Sequence, residues 1–219
     1  EMCIRDRSNI PDFRSADGLY KQKYRYSPEQ IVSHSFFMQH TEEFYDFYKN
    51  KMIFLDAKPN KAHLKLAEME RAGKLSAIVT QNIDGLHQAA GSKNVFELHG
   101  SVHRNYCQKC GKFFDVNYVV NAKGVPYCDE CGGIIKPDVV LYEEGLDSQT
   151  INGAVRAISK ADMLIIGGTS LVVYPAAGMI DYFKGKYLAV LNRDATSRDK
   201  QADLCITDPI GEVLGRIRV

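Results

Sequence analysis

Hydrophobic and polar positions along this chain alternate in a pattern that predicts buried strands separated by amphipathic helices. Three short apolar runs, each ending in small or polar residues, are typical of buried parallel strands. They are LSAIVTQN (75–82), ADMLIIGGTS (161–170) and YLAVLNRD (187–194). Helical periodicity covers 27–52, 59–74 and 147–161, with Ser27-Pro28 as a cap and first turn and Gly73 as a stop signal. The order of elements predicts a doubly wound, mostly parallel α/β sheet that binds ligands at the carboxyl ends of its strands.

Four of the six cysteines lie in one segment, as two Cys-x-x-Cys pairs with seventeen residues between them. Each pair can present two thiolates to one ion, and two pairs complete a tetrahedron. We therefore predict a zinc site formed by Cys107, Cys110, Cys128 and Cys131. Four sulfur ligands leave no coordination position for water or substrate, so the zinc is predicted to be structural. A redox dithiol is the alternative interpretation of the spacing.

Composition and charge narrow the classes of partner. The 219 residues carry a net charge of +1, which gives no electrostatic reason to expect nucleic acid or an anionic membrane as a partner. No apolar run approaches the ~18–20 residues of a membrane span. Paired thiols that act as metal ligands stay reduced in the cytoplasm, which is the predicted location. Cys205, in the apolar run LCI, is expected to be a small buried side chain.

Polar and small residues cluster where the predicted strands end. The three stretches are TQNIDGLHQAAG (80–91), GGTSLVVYPAAG (167–178) and NRD (192–194). Turn formation alone can explain any one such ending, because turns favour Gly, Asn, Asp and Ser. Three of them on one sheet, with His99-Gly100 shortly after the first, predict a polar cofactor site.

These residues together resemble the sirtuin family of NAD-dependent protein deacylases. The resemblance runs from Ser8 to the C-terminus and includes SNIPDFRSADGLY, TQNIDGLHQAAG, ELHGS, the four cysteines, GTSLVVYPAA and LNRD, in the family's order. It implies a Rossmann-like NAD-binding domain (1–20, 75–104 and 137–219) and a smaller module with a helical part (21–74) and a zinc-binding part (105–136). It also implies NAD as co-substrate and an acyl-lysine protein or peptide as substrate, with the acyl group passing to ADP-ribose and nicotinamide released.

The resemblance further implies a role for each residue of the site. His99 would be the general base, a role that suits imidazole because its unperturbed pKa of about 6.5 lets it accept a proton near neutrality. Asn82 would bind the ribose or a catalytic water, and Asp84 would hold the nicotinamide carboxamide with help from Ile83. The remaining cofactor contacts implied are Phe13 and Arg14 in a flexible loop, Gln81 at the ribose, Gly168, Thr169 and Ser170 at phosphate or ribose, and Asn192, Arg193 and Ile210 on the adenosine side.

The chain departs from the family pattern at its start and in two other places. The family opens with a strand and Gly-Ala-Gly-x-Ser, whereas EMCIRDR precedes Ser8 here, so we expect a truncated or wrongly joined start and weakened NAD binding. VVLYEEGL (139–146), which would line the peptide groove, lacks the family's glycine. Relatives that remove succinyl or malonyl groups have a Tyr-x-x-Arg pair where this chain has Tyr45 and Tyr48, so an uncharged acyl group such as acetyl is expected.

Two alternative functions stay open on the sequence alone. The altered start is consistent with a module that binds NAD or ADP-ribose without turnover, although such a module would not need the base His99. A protein mono-ADP-ribosyltransferase would use the same cofactor and the same residues.

Overall fold

The computed structural model describes residues 8, 10 and 25–219, and the predictions for Phe13, Arg14 and residues 1–7 lie outside this part of the chain. The α-helices described are α1 (Pro28–Ile31), α2 (His34–Gln39), α3 (Thr41–Lys51), α4 (Lys61–Arg71), α5 (Leu86–Ala89), α6 (Val116–Asn121), α7 (Ser148–Lys160) and α8 (Ile210–Gly215). The strands are β1 (Ile78–Thr80), β2 (Val95–Glu97), β3 (Gly100–Cys107), β4 (Phe113–Asp115), β5 (Ile135–Val139), β6 (Met163–Gly167), β7 (Tyr187–Leu191) and β8 (Leu204–Ile206). Two 3-10 helices cover Ala176–Tyr182 and Asp199–Gln201.

Helix α1 begins at the cap that the sequence predicts. The Ser27 hydroxyl accepts the Gln30 N–H at 3.2 Å, and the Gln30 side chain accepts the Ser27 N–H at 3.0 Å, which completes a capping box before Pro28. The predicted helical region 27–52 is divided into three helices, because Ser33 caps α2 and His40 leaves the helical conformation before α3. The predicted helical stretch therefore contains two breaks.

The parallel strands follow the predicted runs but are shorter. β1 pairs with β2, and β6, β7 and β8 form a second parallel group in that order. Among the residues that the structure describes, no strand pairs with both of these parallel groups. The sequence pattern did not indicate β2 or β8, since each is only three residues long and neither is fully buried.

An antiparallel sheet, in the order β4-β3-β5, carries the zinc segment. It starts directly after His99, at Gly100, whose φ is +73° and whose added Cβ would lie 1.9 Å from the Asp138 carbonyl oxygen. Only glycine permits this close crossing of β3 and β5. Arg104 links β3 to its neighbours, because its guanidinium lies 2.7 Å from the carboxylate of Glu97 on β2 and 2.7 Å from that of Asp138 on β5.

The helical and zinc-binding parts share one hydrophobic core. Aromatic rings of α2 and α3 meet edge to face, with Phe44 5.0 Å from Phe37 and 5.2 Å from Tyr45 between ring centroids. The same cluster contains Phe114 and Val119 from the zinc segment. This shared core supports the predicted grouping of the two parts, although the domain boundaries stay a prediction.

One helix packs across a predicted domain boundary, and one other expectation needs correction. Helix α4 falls in the segment assigned to the small module (21–74), but its Ala62 packs with Leu191, Ile210 and Leu214 of the Rossmann-like part. The amphipathic pattern showed that α4 has an apolar face but not which core this face covers. Cys205 is exposed rather than buried, because β8 lies at the edge of its sheet.

No helix within the described residues is both long enough and apolar enough to cross a membrane.

Candidate metal centre and cofactor site

The four predicted zinc ligands come together. Their sulfur atoms all lie within 4.8 Å of one another, with 3.4 Å between Cys107 and Cys131 and 3.7 Å between Cys110 and Cys128. A tetrahedral zinc with Zn–S bonds of ~2.3 Å places its sulfurs about 3.8 Å apart, so the cluster fits this ion.

Glycines shape the two knuckles in the same way. The N–H of Gly111 donates to the Cys107 carbonyl at 2.9 Å, and that of Gly132 donates to the Cys128 carbonyl at 3.0 Å. Both glycines have positive φ, +74° and +68°. At Gly133 a Cβ would lie 2.8 Å from the Cys107 sulfur, so a side chain there would crowd the ion. The local sequence thus builds a closed, four-sulfur cradle.

The opposite end of β3 leads to His99. At about 3.3 Å per residue, the eight steps from His99 to Cys107 would span about 26 Å in a fully extended strand, and somewhat less across the irregularity between Ser101 and Asn105. The metal centre therefore lies far from the predicted base.

His99 is held by the first predicted strand end. Its Nδ1 lies 3.1 Å from the Gln81 carbonyl oxygen, and because a carbonyl only accepts, Nδ1 carries the proton. In the neutral ring the lone pair is then at Nε2. The N–H of Val140, directly after β5, donates to the His99 carbonyl at 3.1 Å. Both the ring and the backbone of His99 are thus fixed.

Asn82 follows Gln81 in the turn after β1 and is buried. Its backbone N–H donates to the Thr80 hydroxyl at 3.0 Å, while the Thr80 carbonyl accepts the Leu98 N–H at 2.9 Å. The side-chain nitrogen of Asn82 is buried and has no hydrogen-bond partner among the described residues. A buried donor of this kind fits a site completed by a polar ligand, as NAD would supply.

Asp84 closes the same turn. One of its carboxylate oxygens accepts the Leu86 N–H at 3.0 Å at the start of α5. The preceding Ile83 is buried in the core of the small module, and its carbonyl accepts the Val102 N–H at 2.9 Å. The residues from 81 to 84 are therefore anchored to β3 and to the small module.

The other strand ends form a second group of predicted residues. Gly168, with φ of +60°, donates its N–H to the Leu191 carbonyl at 3.1 Å, which joins the ends of β6 and β7. The Thr169 hydroxyl accepts the Leu171 N–H at 3.2 Å and tightens the turn that contains Ser170. These contacts keep small and hydroxyl side chains at the carboxyl ends of parallel strands.

The adenosine-side residues differ in exposure. Asn192 is buried, and its amide donates to the Asp194 carbonyl at 2.6 Å. Arg193 is exposed, 3.7 Å from the Asp194 carboxylate. Ile210 is buried beside Gly167, where an added Cβ would lie 2.4 Å from the Ile210 Cδ1. Ile210 thus packs directly under the end of β6.

A buried histidine pair below the first strand end was not indicated by the sequence pattern. The rings of His63 and His87 lie 4.8 Å apart, on α4 and α5. Burial, with a contribution from His87, lowers the pKa of His63 to about 3, so this ring is neutral. Asn60, the cap of α4, donates its amide to the Ser8 hydroxyl at 3.1 Å.

Comparison with known proteins gives consistent matches over nearly the whole chain. The model of the Sir2 family matches residues 4–175. An NAD-dependent protein deacetylase from Clostridium acetobutylicum is 64% identical over 96% of this chain and 87% of its own length. The enzyme of the same name from Clostridium perfringens is 62% identical over 98% of this chain and 89% of its own length.

Solved structures agree in fold. A Sir2 complex with a deacetylated p53 peptide and 3'-O-acetyl ADP-ribose superposes with a TM-score of 0.89 at 39% identity, covering 97% of this chain and 87% of its own. A Sir2 complex with a p53 peptide and NAD+ has a TM-score of 0.86 at 39% identity, covering 98% of this chain and 88% of its own. The predicted Rossmann-like α/β fold with a smaller cysteine-rich module is confirmed.

Proposed function

Because the chain belongs to the Sir2 family, we propose that it is an NAD-dependent protein-lysine deacetylase whose active site lies at the strand ends described above. The acetyl group passes to ADP-ribose and nicotinamide is released. The observation that carries the assignment of the site is His99, held by the Gln81 carbonyl next to the buried amide of Asn82. Bound NAD supplies the ribose carbon from which nicotinamide departs.

His99 is the general base in this proposal. With the Nδ1 proton directed at the Gln81 carbonyl, the lone pair at Nε2 can take a proton from a ribose hydroxyl of the cofactor. The Gln81 carbonyl then stabilises the positive charge that the ring acquires. Gln81 thereby supports the ribose through its placement of the base.

Asn82 and Asp84 bind the cofactor in this proposal. The buried amide of Asn82 donates to the ribose or to a water that reacts there. Asp84 binds the nicotinamide carboxamide, and burial of Ile83 fixes the backbone between these two side chains. Both residues orient the cofactor before a proton moves, which is where they differ from His99.

The second group of residues binds the rest of NAD. Gly168 leaves room for a phosphate close to the backbone, while the hydroxyls of Thr169 and Ser170 donate to phosphate or ribose. Asn192, Arg193 and Ile210 face the adenosine half. Phe13 and Arg14 are assigned to the cofactor loop on the resemblance alone.

Zinc, held by the four cysteines, stabilises the small module and takes no part in the reaction. The reduced thiols that this site requires favour the cytoplasm as the location.

The acyl group is uncharged. The Tyr45 hydroxyl donates to the Ile135 carbonyl, and burial raises the pKa of Tyr45. Tyr48 is fully buried, and burial likewise raises the pKa of its hydroxyl, followed in size by the effects of Tyr45 and Asp138. Two neutral phenols provide no positive partner for the carboxylate of a succinyl or malonyl group. Acetyl-lysine is therefore the preferred substrate.

The experiment compares acetyl-lysine and succinyl-lysine versions of one peptide, with and without NAD. We expect release of acetyl only with NAD, inhibition by nicotinamide, and a kcat/KM for succinyl-lysine at least ten-fold lower. Deacetylation without NAD would refute the function, and equal kcat/KM values would refute the acyl preference. Mass spectrometry of the treated peptide for added ADP-ribose tests the transferase alternative in the same samples.

A further inference from the structure

His103 lies on β3, four residues after His99, and belongs to none of the groups of residues assigned above. Its side chain turns back toward the first strand end, where its Nε2 lies 3.0 Å from the carbonyl oxygen of Asp84. A carbonyl oxygen only accepts, so the imidazole N–H is the donor.

The imidazole of His103 also fits against Gly85. A Cβ added to Gly85 would lie 2.8 Å from the Cδ2 and 2.9 Å from the Nε2 of His103. Gly85 has a φ of +71°, a left-handed conformation that favours glycine. The ring therefore occupies the space that a side chain at residue 85 would need, and the two residues form a matched pair.

Two successive residues of β3 thus hold two successive carbonyls of the cofactor turn. The Val102 N–H donates to the Ile83 carbonyl at 2.9 Å, and His103 donates to the next carbonyl, that of Asp84. On its other side, the Asp84 carboxylate accepts the Leu86 N–H at 3.0 Å. The orientation of the Asp84 side chain depends on the peptide plane that His103 fixes.

We propose that His103 is a positioning residue that holds the Asp84 carbonyl and thereby directs the Asp84 carboxylate toward the nicotinamide carboxamide. This inference rests on the proposed role of Asp84. It predicts that His103 affects cofactor binding and nicotinamide release, and not the later proton transfer by His99.

The test compares His103→Phe, which keeps a ring over Gly85 but cannot donate, with His103→Gln, which can still donate to the Asp84 carbonyl. For His103→Phe we expect the KM for NAD and the nicotinamide concentration for half-inhibition to rise about three- to ten-fold, the size of one lost hydrogen bond, with kcat nearly unchanged. His103→Gln should recover most of this loss. The melting temperatures of both variants should stay within a few degrees of the parent.

His34→Phe is the matched control, because this exposed histidine also loses one side-chain hydrogen bond, to Glu144 at 2.9 Å. It should leave the KM for NAD unchanged. A His103→Phe variant with parental KM and nicotinamide inhibition would overturn the proposal, as would a His103→Gln variant as defective as His103→Phe.

Asp84→Asn separates failure of this inference from failure of the proposed function. If Asp84→Asn changes nicotinamide inhibition and His103→Phe does not, only the role of His103 is wrong. If Asp84→Asn itself leaves nicotinamide inhibition at the parental value, the assigned role of Asp84 fails, and the inference about His103 fails with it.

Discussion

The metal centre and the cofactor site are built in opposite ways. All four zinc ligands lie between residues 107 and 131, and local turns at Gly111 and Gly132 orient them. The cofactor site takes residues from 81 to 210, and its geometry depends on contacts between distant segments, such as the hydrogen bond from the Val140 N–H to the His99 carbonyl. The spacing of residues in the sequence predicts both the ligands and the geometry of a short-range site. For a long-range site it predicts which residues take part, but not how they are arranged.

Among the changes that test this comparison, loss of a zinc ligand should have the largest effect on the protein. Cys107→Ser removes one thiolate, and the free energy of zinc binding, on the order of 10 kcal/mol for structural sites, is coupled to folding. We expect the variant to lose its metal and to unfold less cooperatively on heating, because Phe114 and Val119 of the zinc segment share a core with the helical part. Metal analysis and calorimetry measure both quantities.

Cys205→Ser is the control, since Cys205 is exposed and lies outside the cluster. It should keep one zinc per chain and the parental melting temperature. A Cys107→Ser variant that retained zinc and stability while losing only the chemical step would show that the metal centre is not structural.

His99→Ala tests the long-range site and should have the next largest effect. We expect turnover to fall by about 10²–10⁴-fold, the usual loss for a general base, while NAD binding stays largely intact. Exchange of labelled nicotinamide into NAD reports the step before proton transfer and should persist. Asp84→Asn, by contrast, should weaken exchange itself.

Loss of exchange in His99→Ala to the same extent as deacetylation would contradict the assigned role. The histidine would then be needed before nicotinamide leaves. Stability should be similar to the parent in both variants, which calorimetry can confirm.

The sequence predicted most of the fold because the long elements have strong local signals. Ser27-Pro28 starts α1, Gly73 follows the end of α4, and each of the three apolar runs contains an observed strand. The short strands β2 and β8 were not predicted, since three residues carry too little periodicity for a pattern. The sequence also did not predict which core α4 covers, because an apolar helix face does not identify the residues that it packs against.

The cofactor site shows the same limit in finer detail. Residue types at strand ends indicated Asn82, Asp84 and His99, but no spacing rule connects His103 with Gly85 or His63 with His87. These pairs arise only when β3 folds against the turn at 81–85 and α4 against α5. Supporting contacts between distant segments are therefore what the sequence does not reveal.

Glu143 has both a local feature that the sequence indicates and a long-range contact that it does not. Its substitution should have the smallest effect of those discussed. The sequence indicated a missing glycine in the segment 139–146, and the structure gives Glu143 a left-handed φ of +75°. Its carboxylate accepts the Ser35 N–H at 2.8 Å and the Ser35 hydroxyl at 2.6 Å. These distant hydrogen bonds from α2 stabilise a backbone conformation that glycine would adopt without strain.

Glu143→Ala should consequently be less stable than Glu143→Gly, because alanine loses both hydrogen bonds and keeps the strain, whereas glycine loses only the bonds. Both changes in melting temperature should be at most a few degrees at neutral pH. Ser35 lowers the pKa of Glu143 through the same bonds, so the glutamate's contribution is present above the ordinary carboxyl pKa and disappears as the pH falls through the lowered value. Thermal melts of both variants in the parent and in Ser35→Ala, at neutral and acidic pH, measure this. In the Ser35→Ala background, which removes the hydroxyl bond but keeps the backbone N–H bond, Glu143→Gly should destabilise less than in the parent. An alanine variant as stable as the glycine variant would show that the backbone at residue 143 is not strained.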